Sequence, residues 1–130
     1  MEVIESIKEC SFKRVGGYNH FDGYEIKTNK QTVKLGIESG QSCCENYGYF
    51  MSEDALDEYI GAELLKVEVV DTCRNKDKFE KVNLYQGGVM FVDLVTNKGT
   101  LQFTAYNEHN GYYGHDAVVI SEQLNSSACL

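Results

Sequence analysis

Val89-Met90-Phe91-Val92-Asp93-Leu94-Val95, then Thr96-Asn97-Lys98-Gly99, then Thr100-Leu101-Gln102-Phe103-Thr104-Ala105-Tyr106 is the stretch that decides the fold. Two runs rich in β-branched and aromatic residues flank a short segment of turn chemistry, so the stretch reads as an antiparallel hairpin. The same pattern lies upstream. Gly23-Tyr24-Glu25-Ile26-Lys27 and Thr32-Val33-Lys34-Leu35-Gly36-Ile37 alternate with period two around Thr28-Asn29-Lys30-Gln31. The shared Thr-Asn-Lys is too short to count as an internal duplication, and similar turn chemistry at two hairpins accounts for it.

Between the hairpins, Ser52 stands before Glu53-Asp54-Ala55-Leu56-Asp57-Glu58-Tyr59-Ile60. A serine there can cap orphan amides, and early acids complement the positive end of a helix dipole, which predicts a short helix ending at Gly61. Leu56, Tyr59 and Ile60 share one face by spacing, turning Glu53, Asp54, Asp57 and Glu58 mainly to water. Leu64 to Val70 reads as a strand, Thr72 to Lys78 as a polar loop, and Ala117 to Ile120 as a last buried strand. The expected class is α+β, an antiparallel sheet of about six strands with one or two short helices. With no proline and no Ser/Gly-rich linker, residues 1–130 read as a single domain.

At 42% apolar and 25% charged, the 130-residue chain has globular composition. It lacks the run of ~18 apolar residues that a membrane helix needs. The first ten residues alternate charged and apolar side chains and do not resemble a secretory signal, so the expectation is a protein of the cell interior. The five cysteines, Cys10, Cys43, Cys44, Cys73 and Cys129, are an odd set and read as reduced thiols or metal ligands rather than a disulfide framework. Adjacent cysteines rarely bridge each other, because the small ring distorts the peptide joining them.

The net charge of −8 has a single source: residues 38–71 hold nine acids against Lys66 alone, and the rest of the chain balances. Phosphate neutralisation needs clustered Lys and Arg, so direct nucleic-acid binding is not expected. A basic protein partner fits the asymmetry, since complementary potentials speed encounter and exclude wrong partners. A solvated helix face that merely aids solubility is the alternative.

Two constellations carry candidate chemistry. Cys43 and Cys44 lie in Gly40-Gln41-Ser42-Cys43-Cys44-Glu45, and Asn107 to Asp116 offers His109 and His115. Zinc takes four thiolate or imidazole ligands in a tetrahedron, and two adjacent thiols reach one ion only where the backbone turns. The spacing is not that of paired zinc-finger cysteines, and inert buried thiols are the competing outcome. A cysteine nucleophile with an imidazole base is disfavoured by the negative surroundings, which raise a thiol pKa, so no enzymatic activity is expected. Tyr112 and Tyr113, within Asn110-Gly111-Tyr112-Tyr113-Gly114, offer aromatic contact area, either for a partner or for the edge of the core.

Taken together, Ser42-Cys43-Cys44-Glu45, the acidic helix with Ile60-Gly61, and Tyr106-Asn107-Glu108-His109-Asn110-Gly111-Tyr112-Tyr113 resemble an uncharacterised domain family of bacteriophages and other mobile elements. The resemblance covers roughly residues 23 to 120. Relatives often carry a histidine just before the cysteine pair, where this chain has Ser39-Gly40-Gln41, so a metal here would draw a ligand from elsewhere. The candidates are Cys73, His109 and His115, and the resemblance prefers the two histidines, implying a structural Zn2+ held by Cys43, Cys44, His109 and His115. It further implies an anti-CRISPR protein of the host bacterial cytoplasm that binds a Cas9-type nuclease stoichiometrically. The contact surface would be Glu53, Asp54, Asp57, Glu58 and Glu63, set against the positive nucleic-acid channels of such enzymes. A sponge for a nucleotide second messenger is the alternative; it would need Lys13, Arg14 or Arg74 to converge on the tyrosines.

Overall fold

The hairpin around Asn97 is strand-paired from Gly87 to Glu108, and its register follows from the turn: Thr96 faces Gly99, Leu94 faces Leu101 and Asp93 faces Gln102. A computed structural model describes residues 1–13, 20–39, 46–82, 87–108, 116–121 and 125–130. The strands are β1 (Ile4–Lys13), β2 (His20–Thr28), β3 (Thr32–Glu38), β4 (Asn46–Met51), β5 (Leu64–Val70), β6 (Gly87–Thr96), β7 (Gly99–Glu108), β8 (Asp116–Ile120) and β9 (Asn125–Cys129). Among the described residues, one helix, α1 (Lys76–Val82), and one 3-10 turn, Leu56–Tyr59, complete the elements. All strand pairs are antiparallel, in a five-stranded sheet ordered β1-β2-β3-β8-β9 and a four-stranded sheet ordered β4-β7-β6-β5.

The fold is therefore mainly β, with nine strands in two sheets among the described residues rather than one α+β sheet of about six. The three strands that sequence patterning does not reveal are all edges. β1 and β9 flank the larger sheet and β4 the smaller one. An edge strand has less apolar surface to bury, so its alternation is diluted by polar residues. In β1 the period is also broken by a bulge between Ile4 and Ser6.

Two local expectations are corrected. The helix after Ser52 is only a four-residue 3-10 turn, preceded by Ala55 with no side-chain cap. Ser52 is instead almost fully buried and extends the β4–β7 ladder: its N–H donates to the Gln102 carbonyl (2.8 Å), and its Oγ accepts from the Gln102 N–H (2.9 Å). The last three residues of the expected polar loop, Lys76 to Lys78, are instead the start of α1. Asn75 caps it by accepting the Lys78 N–H on Oδ1 at 3.1 Å, and Phe79 meets Phe91 edge-on at 5.6 Å between centroids. One cap and one aromatic anchor stabilise a helix too short to persist alone.

The core lies between the inner faces of the sheets. Ile26, Val33, Leu35 and Ile37 from one meet Val92, Leu94, Leu101 and Phe103 from the other, with Tyr24 edge-on to Phe103. Each such side chain contributes about 1.5–3 kcal/mol by leaving water.

The Thr-Asn-Lys repeat belongs to a larger correspondence. In β1–β3, Ile4 faces Thr28, a bulge follows, Ile7 faces Ile26 and Glu25 faces Lys34. In β5–β7, Leu64 faces Thr96, a bulge follows, Val67 faces Leu94 and Asp93 faces Gln102. Each turn asparagine makes the same pair of bonds to the residue entering the first strand. Asn29 Oδ1 accepts the Val3 N–H (2.7 Å) while its own N–H donates to the Val3 carbonyl (3.2 Å); Asn97 does likewise with Glu63 (2.9 and 3.2 Å). Val3 and Glu63 bridge each other, so the two meanders meet at matching points. A fourth strand then joins each in the same place, β8 on β3 and β4 on β7.

Candidate functional site

Glu53, Asp54, Asp57 and Glu58 are all solvent-exposed on the connection between β4 and β5, and Glu63 is half-buried at its end. This connection is held from three sides. Leu56 and Tyr59 pack against the core; Gly61, at φ 87°, reverses the chain where a side chain would be strained and donates its N–H to the Ile4 carbonyl (2.8 Å); and Asp54 accepts from Lys78 Nζ (2.5 Å). Burial and the nearby Glu53 and Glu58 raise the Tyr59 pKa, so its hydroxyl stays neutral beside the carboxylates. Ile60, expected on the buried face, is 40% exposed because the 3-10 turn ends at Tyr59 and the backbone is already extended at Ile60. The arrangement displays closely spaced negative charges on a segment of fixed shape.

Lys78 owes its position to a polar clamp on the outer face of the smaller sheet. Asp93, 3% exposed, accepts from Arg74 Nε (3.1 Å), Arg74 Nη2 (2.9 Å) and Gln102 Nε2 (2.8 Å). Gln102 also donates to the Thr72 carbonyl (2.9 Å) and accepts the Arg74 backbone N–H (2.9 Å). Asn75 Nδ2 donates to the Ser52 carbonyl (2.8 Å), and Lys78 Nζ to that of Met51 (2.9 Å). A carboxylate taken out of water needs this many donors. The clamp fixes the entry to α1, α1 presents Lys78, and Lys78 holds Asp54. The Arg74 side chain remains 48% exposed, and the bond to Asp93 raises its pKa further. It sits between two open clefts of about 440 and 510 Å3, the first lined by Ser52, Glu53, Asn75 and Lys76, the second by Glu68, Asp71, Cys73 and Asp93.

Sequence reasoning passed over Arg74, Asn75, Lys78, Asp93 and Gln102 as a group. A signal was present: Asp93 interrupts an apolar run, and counting outward from the Asn97 turn places it opposite Gln102.

Cys43, Cys44, His109, His115, Tyr112 and Tyr113 lie outside the described residues, as does Arg14. The strand ends bordering them are neighbours, since Asn46 of β4 is the Cα partner of Glu108 of β7. Among the described residues no group of three or more His, Cys, Asp or Glu is placed to hold a metal ion. Cys10 and Cys73 are half-buried, and burial pushes both thiols up in pKa, which keeps them protonated and weakly nucleophilic. Also among the described residues, no helix is long and apolar enough to cross a membrane.

No curated protein and no solved structure matches the chain. One family model matches residues 2–119, so that it spans both meanders, the acidic connection and the clamp; the chain belongs to the family described as a domain of unknown function, DUF7448.

Proposed function

We propose that this protein acts by stoichiometric binding, presenting Glu53, Asp54, Asp57 and Glu58, with Glu63 at the border, to a basic surface of a partner protein. The observation that carries the reading is the mounting of these acids. They are exposed on a segment anchored by Leu56, Tyr59 and the Lys78–Asp54 pair, within the one part of the chain that holds its whole net charge. A charged surface of fixed shape loses less conformational entropy on docking than a flexible acidic tail.

The partner we propose is a Cas9-type defence nuclease, whose positive nucleic-acid channel the acids would occupy, making the protein an anti-CRISPR factor of the bacterial cytoplasm. A structural Zn2+ held by Cys43, Cys44, His109 and His115 is part of the proposal. The pairing of Asn46 with Glu108 supports it, because the two ligand-bearing segments leave from adjacent strand ends. Sequestering a nucleotide messenger is less well supported, since Arg74, one of the cations it would need, is engaged by Asp93.

The test is a pull-down against a panel of defence nucleases with wild type beside a Glu53→Lys/Asp57→Lys/Glu58→Lys variant. Loss of capture by the variant is expected, and equal capture by both overturns the acidic-surface reading. Elemental analysis of tag-free protein reads the zinc. One equivalent in wild type, lost in Cys43→Ser/Cys44→Ser, is expected, and metal-free wild type refutes it.

A further inference from the structure

The edge strand β5 is built differently from its counterpart β1. The two occupy matching positions at the start of their meanders, and register sets Glu5 against Leu65, Lys8 against Glu68 and Glu9 against Val69. β1 exposes Glu5, Lys8, Glu9 and Lys13, the charged side chains that keep a sheet edge from pairing with another chain. β5 instead exposes Leu65 (52%) and Val69 (44%), two of the four large apolar side chains most open to water among the described residues. Among the described residues, the backbone from Leu65 to Val70 makes no hydrogen bond beyond the ladder to β6, which leaves its outward N–H and C=O groups open to a further strand.

The sequence of this edge is self-complementary. In Leu65-Lys66-Val67-Glu68-Val69, residues equidistant from Val67 are an apolar pair and an oppositely charged pair. A second copy laid antiparallel about Val67 therefore sets Lys66 opposite Glu68 twice, with Leu65, at the bulge, beside Val69 at each end. Within one chain Lys66 and Glu68 already form an ion pair at 2.8 Å on the outer face, with side-chain exposures of 61% and 37%. An edge lysine normally discourages pairing; here each lysine meets an acid from the other copy.

We propose that β5 is a homodimerisation edge, pairing antiparallel with β5 of a second copy to make one continuous eight-stranded sheet from the two four-stranded ones. Two short strands bury less than the ~1,200 Å2 of a standard stable interface, so the dimer is weak and forms reversibly with concentration. The acidic connection lies outside the pairing, and a dimer displays two copies of it.

Sedimentation or light scattering on the full chain, from micromolar to millimolar protein, tests this. The wild type is expected to rise from 14.7 kDa toward twice that mass. Lys66→Glu and Glu68→Lys each place like charges opposite one another and are expected to stay monomeric over the same range. An equimolar mixture of the two variants restores complementarity at every position and is expected to regain the mass shift. The double variant K66E/E68K restores it within one chain and should behave as wild type. Both changes are at exposed side chains, and unchanged circular dichroism shows the fold intact. A wild type that stays monomeric throughout overturns the proposal. So does a dimer that persists equally in both single variants, which would place the interface elsewhere.

Discussion

The meanders β1–β3 and β5–β7 share register, bulge and turn, yet their outer faces have been put to different use. At matching positions the first carries Glu25 opposite Lys34 and the second Asp93 opposite Gln102. Glu25 and Lys34 are half-buried, and Lys34 Nζ lies 5.6 Å from the Phe12 ring centroid. In the second meander the opposing cation is absent, and Arg74 is brought in from the segment before α1 to neutralise a carboxylate that α1 and its approach have covered. One scaffold thus carries a half-buried lysine over an aromatic ring on one side and a buried carboxylate clamp on the other. The clamp positions Lys78 against the acidic connection.

If the meanders share one core, matched inner positions should cost comparable amounts when truncated. Phe103 and Leu35 occupy such positions, and both are fully buried. Phe103→Ala should lower stability by about 3–5 kcal/mol and Leu35→Ala by about 2–5 kcal/mol. Chemical denaturation followed by circular dichroism should show a single transition moved to lower denaturant in both. Separate transitions for the two halves would contradict the common core.

Outer positions should diverge. Arg74→Ala strips Asp93 of its charged partner while Gln102 still donates to it, so a loss of about 2 kcal/mol is expected, below the 3–5 kcal/mol of a fully buried pair because the guanidinium is half-exposed. Lys34→Ala removes a half-buried lysine set over the Phe12 ring, a contact worth about 1 kcal/mol or less. The same denaturation measurement ranks them, and equal costs would mean that the clamp contributes no more than that contact. Restoring a cation opposite the carboxylate with Gln102→Lys should not rescue Arg74→Ala, because Gln102 also serves the Thr72 carbonyl and the Arg74 N–H.

Much of this comparison is legible in sequence, and the remainder fails for identifiable reasons. Both hairpins and β5 are announced by alternating or β-branched runs, and β8 by the unbroken apolar run Ala117 to Ile120, in which Ala117, Val118 and Val119 are all buried. Ser52 has the chemistry of a helix cap, but its backbone continues the β4 ladder and tertiary pairing overrides the local preference. Cys73-Arg74-Asn75-Lys76-Asp77-Lys78 looks like solvated loop because its polar groups are satisfied by partners far along the chain, Asp93 and Gln102, whose spacing no local window contains. The acidic connection was readable as exposed charge. What could not be read was its attachment, which runs through Lys78.

The smallest expected effect bears most directly on the relation between the halves. Asn29→Ala and Asn97→Ala each remove a side-chain acceptor from the N–H entering β1 or β5, at about 1 kcal/mol apiece. Remote, independent turns would add within about 0.5 kcal/mol. These are not independent, because the residues they bond, Val3 and Glu63, are paired to each other, with the Leu64 N–H donating to the Glu2 carbonyl and the Ile4 N–H to that of Ala62. Once one turn is loosened, the shared bridge is frayed and the second asparagine has less ordered backbone to hold. The double variant should therefore lose less than the sum of the singles, by about 0.5 kcal/mol or more in a double-mutant cycle. Strict additivity would show that the meanders match in form without being coupled through their turns.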